Sequence, residues 1–135
     1  MVNPNPNIQR QHETTIRVRY QETDAQGHVH HANYINYFEI GRVEMLRDGG
    51  ISYREFEESG LMLVIVNLKC DYFKPAVYDD LLKLRTSVVK AKGVRIQHSY
   101  EIFRDDDLIV KGETIVACVD HKGKPKALPI WLRMD

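Results

Sequence analysis

The sequence predicts an α+β fold in which an antiparallel sheet wraps around one long central helix. Residues 33–47 carry apolar side chains at helical spacing, whereas the chain from residue 64 to residue 119 alternates apolar and polar side chains as strands do. Short turns separate the later strands, which favours antiparallel neighbours. A helix with a broad apolar stripe and a sheet with one apolar face can bury each other, so we expect two packed layers.

The start of the chain differs in composition from the rest. Residues 1–12 are rich in Asn, Pro and Gln and offer little to bury, so we expect a flexible N-terminal arm there. Residues 14–20 then alternate as a first strand. Because 135 residues suit one domain, the sequence predicts a single domain over residues 13–135.

The long helix is predicted over residues 33–47, and its apolar stripe is wide enough to require enclosure by other structure. Gly41 near its middle costs about 1 kcal/mol relative to alanine, unless a close backbone approach needs it. Glycines 49 and 50 end the helix, and Ser52 is expected to cap a short second helix. The stripe consists of Tyr34, Ile35, Tyr37, Phe38, Gly41, Met45 and Leu46.

Four strands are predicted after the helices, and we expect them to form a meander. In the first of them Val64, Val66, Leu68, Cys70 and Tyr72 share one face. An antiparallel sheet of this kind has open edges, and pairing with a second copy is a natural way to cover them. The strands are predicted over residues 64–72, 81–91, 94–102 and 108–119.

Charge and hydropathy exclude several classes of function. Nineteen basic and nineteen acidic residues cancel, so no global positive field attracts nucleic acid. No basic run precedes an apolar core at the N-terminus, and no later segment is apolar for long enough to span a bilayer. We therefore expect a cytoplasmic protein with no nucleic-acid partner and no integral membrane association. Cys70 and Cys118 are expected to be buried free thiols.

Residues 24–31 carry the chemistry that the sequence suggests. They read D-A-Q-G-H-V-H-H and lead directly into the aromatic-rich start of the predicted helix. Backbone N–H groups at a helix N-terminus lack intrahelical partners and can hold a carbonyl oxygen as it becomes negative. A carboxylate beside such donors indicates acyl-transfer chemistry.

The same stretch carries a family resemblance. From Asp24 to Tyr37 the chain reads D-x-x-G-H-V-x-H-x-N-Y-x-x-Y, with a strand before it and several strands after it. In this it resembles the hotdog-fold acyl-CoA thioesterases of the 4-hydroxybenzoyl-CoA thioesterase-like family. The resemblance extends over nearly the whole chain from about residue 13 onward.

The resemblance implies a hotdog fold and a hydrolase that converts an acyl-CoA to a free acid and CoA. By position, the catalytic carboxylate of the family falls on Asp24, its turn glycine on Gly27, and the N–H that polarises the thioester carbonyl on His31. Family members place the site at a dimer interface, so a homodimer or a homotetramer built from two dimers is implied. No cofactor is implied, because CoA is part of the substrate. Asp24 can act as nucleophile or as general base.

Substrate contacts are predicted at two places. Tyr34 is expected either to line the acyl pocket or to belong to the core. Lys90, Lys92 and Arg95 cluster around the turn at Gly93, where family members commonly contact CoA, and they predict a phosphate clamp. The alternative for these three is a solvated hairpin edge.

Other interpretations of the motif stay open. Asp24 by itself also suits a turn or a helix cap. His28, His30 and His31 are metal-binding residue types, but no second ligand pair such as H-E-x-x-H accompanies them, so no metal site is predicted. At the level of function the alternatives are an enoyl-thioester hydratase or dehydratase of the same fold, and a non-catalytic module that binds acyl-CoA or acyl-carrier protein.

Overall fold

The computed structural model describes Asn3 and residues 5–134, and it has one antiparallel sheet of five strands packed on a long helix. Met1, Val2 and Pro4 of the predicted arm lie outside the described residues, as does Asp135. The predicted α+β architecture is confirmed. The elements are β1 (Gln11–Arg17), α1 (Asn33–Asp48), α2 (Tyr53–Glu58), β2 (Leu61–Tyr72), β3 (Leu81–Lys92), β4 (Arg95–Arg104) and β5 (Asp107–Asp120), with short 3-10 turns at Tyr20–Glu22 and Ile130–Leu132.

The strand order corrects one prediction. The order across the sheet is β1-β3-β4-β5-β2, so only β3, β4 and β5 form a meander, and β2 pairs with β5 instead of β3. The reason lies in the connections: two residues join β3 to β4 and two join β4 to β5, whereas residues 73–80, with Pro75, form too long a link for a tight hairpin. As a result, β1 and β2 form the two edges of the sheet.

The helix α1 packs on one face of the sheet through its predicted apolar stripe. Six of the seven stripe residues are buried, and Ile35 is half-buried. The Phe38 ring stacks on Tyr100 of β4 with ring centroids 4.2 Å apart. A methyl group at Gly41 would collide with Thr86 and Leu84 of β3, which confirms the expected close approach at this glycine.

The start of the chain is tied to the end of α1. The Asn7 N–H donates to the Gly49 carbonyl at 2.9 Å, and Ile8 packs against the core at this end of the helix. Strand β1 begins at Gln11, two residues before the predicted start of the domain. At α2, the Ser52 hydroxyl accepts a hydrogen bond from the Glu55 N–H, which confirms the predicted cap.

Strand β2 leaves its apolar side chains largely uncovered. Val64, Val66 and Leu68 are 38%, 49% and 42% exposed, and β2 is an edge strand of the described sheet. The prediction that they share one face is wrong, because an irregularity in the pairing at Val66 puts Val64 and Leu68 on opposite faces. Cys70 on the same strand is half-buried, whereas Cys118 on β5 is fully buried, and both are free thiols. The apolar edge of β2 is therefore an unpartnered surface within a single chain.

Candidate active site

A tight turn over residues 24–28 holds the predicted catalytic carboxylate. The Gly27 N–H donates to the Asp24 carbonyl at 2.9 Å, and the Asp24 N–H donates to the His28 carbonyl at 2.8 Å. Gly27 has a φ of +82°, a left-handed conformation that glycine adopts without strain. The turn therefore needs Gly27 for its backbone and presents Asp24 at its start.

The Asp24 side chain is oriented by backbone donors. Its Oδ1 accepts hydrogen bonds from the N–H groups of Gln26 at 2.9 Å and His28 at 3.3 Å. Asp24 therefore has the turn role that the sequence analysis gave as an alternative. This role uses only one of its two carboxylate oxygens. Within the described residues Oδ2 has no hydrogen bond, so it remains available for another molecule.

His31 lies two residues before α1, and its carbonyl and its ring both make contacts that hold it in place. The His31 carbonyl accepts a hydrogen bond from the Tyr72 hydroxyl at 2.9 Å, and its ring stacks on His30 at 4.2 Å. The Ala32 N–H that follows is bound to His30 Nδ1 at 3.1 Å. By contrast, the His31 N–H makes no hydrogen bond to any part of the chain that the structure describes.

A cleft of about 340 Å³ brings three predicted site residues together. Asp24, His31 and Tyr34 all line it, and Gly27 does not line it but shapes the turn beside it. The rest of the lining comes from the turn and from the segment after β2. These residues are Gln26, His28, Val29, Tyr72, Phe73, Lys74 and Pro75.

Two tyrosines of the cleft are held in their neutral form. Tyr34 is only 2% exposed and meets Tyr72 edge to face, so it is a core residue with one side at the cleft. Burial raises the pKa of Tyr34, and burial together with a hydrogen bond to Cys70 raises the pKa of Tyr72 to about 12. At neutral pH both phenols therefore offer hydrogen bonds rather than negative charge.

Glu22 does not line the cleft but supports the loop that forms it, and the sequence analysis missed this residue. Its buried carboxylate accepts hydrogen bonds from the Arg19 N–H at 2.8 Å and the Tyr37 hydroxyl at 2.9 Å. Its carbonyl accepts from the His30 N–H at 2.9 Å and from the Asn33 side chain at 2.8 Å. Glu22 thus fastens the loop that carries Asp24 and His31 to the first turns of α1.

Comparison with known proteins identifies the family. Residues 18–134 match the Thioesterase-like superfamily. The chain belongs to this superfamily.

Individual members of the superfamily are similar over most of their length. The acyl-CoA thioesterase YbgC of Haemophilus influenzae is 40% identical over 116 residues, which are 84% of this chain and 85% of that protein. The acyl-CoA thioester hydrolase YbgC of Escherichia coli is 34% identical over 116 residues, covering 84% and 87%. The crystal structure of the DHNA-CoA thioesterase from Staphylococcus aureus superposes with a TM-score of 0.84 at 32% identity, covering 87% of this chain and 80% of that one. The predicted hotdog fold is confirmed by such structural neighbours.

In this superfamily member the predicted phosphate clamp lies away from the cleft. Lys92 and Arg95 face each other at the β3–β4 turn, with Lys90 just before them, and all three are exposed. The cleft lies towards the other end of β3, because its lining residue Val29 donates its N–H at 2.8 Å to the carbonyl of Ala76, five residues before β3 begins. From Leu81 to Lys92 strand β3 makes eleven residue-to-residue steps, which span about 36 Å when the strand is extended. Within one chain, therefore, the clamp residues and Asp24 do not meet, and the clamp stays a prediction.

The histidine-rich turn shows no metal-binding geometry among the described residues. No group of three or more His, Cys, Asp or Glu side chains converges there or elsewhere in Asn3 and residues 5–134. The metal-free, cofactor-free site stays a prediction. None of the helices in this part of the chain is both long and apolar enough to cross a membrane.

Proposed function

We propose that the protein is an acyl-CoA thioesterase that hydrolyses an acyl-CoA to a free carboxylic acid and CoA. One observation carries this proposal: a carboxylate with a free oxygen and a backbone N–H without an acceptor in the described chain line the same cleft, at the start of α1. The superfamily and the relatives named as acyl-CoA thioesterases support it.

A thioester can be hydrolysed with only these two protein groups, a carboxylate and a backbone N–H. Sulfur donates little resonance to the carbonyl, and a thiolate leaves easily, so the bond needs only an activated oxygen nucleophile and stabilisation of the oxyanion. The proposal places the carbonyl oxygen on the His31 N–H, where the positive end of the α1 dipole adds to the stabilisation. No cofactor is needed for either contribution.

Asp24 has two possible roles, and both use its free Oδ2. As a general base it takes a proton from water, the hydroxide attacks the carbonyl carbon, the C–S bond breaks, and the CoA thiolate takes up a proton. As a nucleophile it attacks the carbon itself, forming a mixed anhydride and releasing the thiolate, and water then hydrolyses the anhydride. The backbone donors on Oδ1 orient the carboxylate in both routes.

A second copy of the chain is part of this proposal. The uncovered edge of β2 supports pairing between two chains, because an exposed apolar edge strand is an unfavourable surface for a single domain. A homodimer, or a homotetramer of two dimers, would also allow Lys90, Lys92 and Arg95 of one chain to serve the cleft of another. The cytoplasm, where acyl-CoA is available, is the proposed location.

The test is release of free thiol from acyl-CoA substrates with short aliphatic, long aliphatic and aromatic acyl groups. Wild type should turn over at least one class, and a folded Asp24→Asn variant should not. Asp106→Asn in the exposed β4–β5 turn is the matched control, and it should behave as wild type.

Two results would contradict the proposal. Binding of acyl-CoA without turnover by wild type would favour a binding module. Conversion of crotonyl-CoA with the thioester left intact would favour the hydratase of the same fold.

A further inference from the structure

A second cavity lies beside the C-terminal half of α1. It has a volume of about 260 Å³ and shares no lining residue with the Asp24 cleft. Arg42, which lines it, comes eight residues after Tyr34, or about 12 Å further along the helix. The stacked rings of Phe38 and Tyr100 belong to the core between the two places. The cavity is therefore a separate site within one chain.

The walls of the cavity are mainly apolar and come from several elements. Leu46 of α1, Leu63 of β2 and Ile96 of β4 contribute aliphatic surface. Trp131, in the C-terminal segment, contributes the single tryptophan of the chain. Such a lining suits the apolar body of a small molecule.

Arg42 adds a positive charge that no carboxylate of the described chain neutralises. The spacing of Glu39 and Arg42 predicts an ion pair on the helix face, but the structure shows none between them. Instead, the Arg42 guanidinium donates to the Tyr100 hydroxyl at 3.0 Å and is half-buried. An arginine that meets only a hydroxyl retains donors for a planar anion such as a carboxylate.

The charges around the cavity have the same sign as Arg42 on balance. Arg10 and Arg133 also line it, Glu39 is the one acidic residue among its described lining residues, and all three are exposed to solvent. The lining residues therefore carry three guanidinium groups and one carboxylate, which favours an anionic ligand over a neutral or cationic one.

His98 provides a buried polar atom without a partner among the described residues. It lines the cavity, is only 5% exposed, and its Nδ1 has no hydrogen bond within the described residues. Burial, reinforced by the nearby charge of Arg42, lowers the pKa of His98 to about 3, so its ring is neutral at physiological pH. A neutral imidazole can donate one hydrogen bond to an anion beside Arg42 without adding another buried charge.

We propose that this cavity binds a small monocarboxylic acid, with its carboxylate on Arg42 and its apolar body against Leu46, Leu63, Ile96 and Trp131. An engineered cavity of about 150 Å³ holds benzene, so one of about 260 Å³ suits an acid of roughly six to eight carbons. The link to the proposed function is that such an acid is a product of acyl-CoA hydrolysis. Binding itself requires no catalysis.

Titration with hexanoate, followed by Trp131 fluorescence, tests the site. Hexanoate should change the emission saturably, and 1-hexanol, which has the same chain but no charge, should bind at least tenfold more weakly. Arg42→Met keeps most of the side-chain length, removes the charge and should weaken hexanoate binding at least tenfold. Asp24→Asn should bind hexanoate as wild type does.

The outcomes separate this inference from the proposed function. Equal binding of hexanoate and 1-hexanol, a comparison that needs only wild type, would overturn the carboxylate site even if Arg42→Met failed to fold. Loss of hexanoate binding in a folded Asp24→Asn variant would move the ligand to the cleft and also overturn it. Thiol release is measured independently, so hexanoate binding without thiol release would reject the thioesterase and keep the carboxylate site.

Discussion

The two ends of α1 offer different chemistry. At its N-terminus an open cleft combines a carboxylate with backbone donors, and beside its C-terminal half a more enclosed cavity combines apolar walls with a guanidinium. A helix has unpaired N–H groups only in its first turn, whereas along its length it can offer only side chains. One helix thus carries the proposed reaction site at its start and the proposed binding site farther along it. Variants that affect one end alone can test this division.

The largest expected effect separates catalysis from binding. Asp24→Asn removes the proposed general base or nucleophile and should lower the rate of thiol release by about 10²- to 10⁴-fold, the usual contribution of such a group. The melting temperature should change little, because the asparagine oxygen can still accept from the Gln26 N–H. Hexanoate binding should change little, because Asp24 does not line the cavity beside Arg42. Thiol release, fluorescence titration and thermal melting on one preparation check this, and a parallel loss of hexanoate binding would mean that the two ends are not independent.

The second-largest effect is expected at Glu22, which holds the Asp24 loop against the start of α1. Glu22→Gln weakens a buried carboxylate that accepts from Arg19 and Tyr37, and we expect a loss of about 1.5–3 kcal/mol in the free energy of unfolding. Tyr37→Phe removes one of these hydrogen bonds and should lose about 1 kcal/mol. Denaturant unfolding measures both. Activity measured well below the melting temperature should fall in Glu22→Gln, because the Asp24 loop loosens, and unchanged activity there would limit Glu22 to a role in stability.

Acid should lower the stability of the protein through His98, which lines the cavity beside the C-terminal half of α1. Its folded pKa, about 3, lies below the ordinary value of 6.5, so the unfolded chain binds the proton more readily and stability falls as pH decreases through this range. At pH 5 this one group should lower the free energy of unfolding by about 2 kcal/mol relative to neutral pH. The measurement is the difference in stability between pH 7 and pH 5 for wild type and for His98→Leu. The same difference in both proteins would show that His98 is not the titrating group.

The smallest effect compares two glycines with nearly the same backbone. Gly27 has a φ of +82° and Gly123 a φ of +83°, and an added Cβ would contact nothing at either position. Alanine at each should therefore lose about 1 kcal/mol of stability through backbone strain alone. Only Gly27→Ala should also lower thiol release, because only Gly27 shapes the turn that holds Asp24. Thermal melting and thiol release on both variants check this, and equal loss of activity would show that the strain acts through global stability.

The sequence predicted the arrangement of the Asp24–His31 loop better than the strand order because the loop is local. Asp24, Gly27 and His31 lie within eight residues, so their motif brings them together whatever the rest of the chain does. The pairing of β2 with β5 joins strands that are distant in sequence, and the alternation of apolar residues cannot specify a partner. The meander prediction was wrong for that reason.

Polar residues in the interior were hardest to predict. Glu22 stands in a segment without apolar periodicity, and its role depends on Tyr37 and Asn33 from α1. The inward turn of Arg42 depends on Tyr100, which lies 58 positions away. Tyr34 was predicted with two alternatives, and its position at the boundary of core and cleft fits parts of both.

The apolar edge of β2 has a consequence for the solubility of the chain. The run Leu63-Val64-Ile65-Val66 has high strand propensity, no charge and no proline, which is the composition of segments that assemble into cross-β aggregates. Among the described residues no further strand pairs with its outer backbone groups. Protection from aggregation therefore depends on whatever covers this edge, so conditions that uncover it should cause precipitation before they unfold the core.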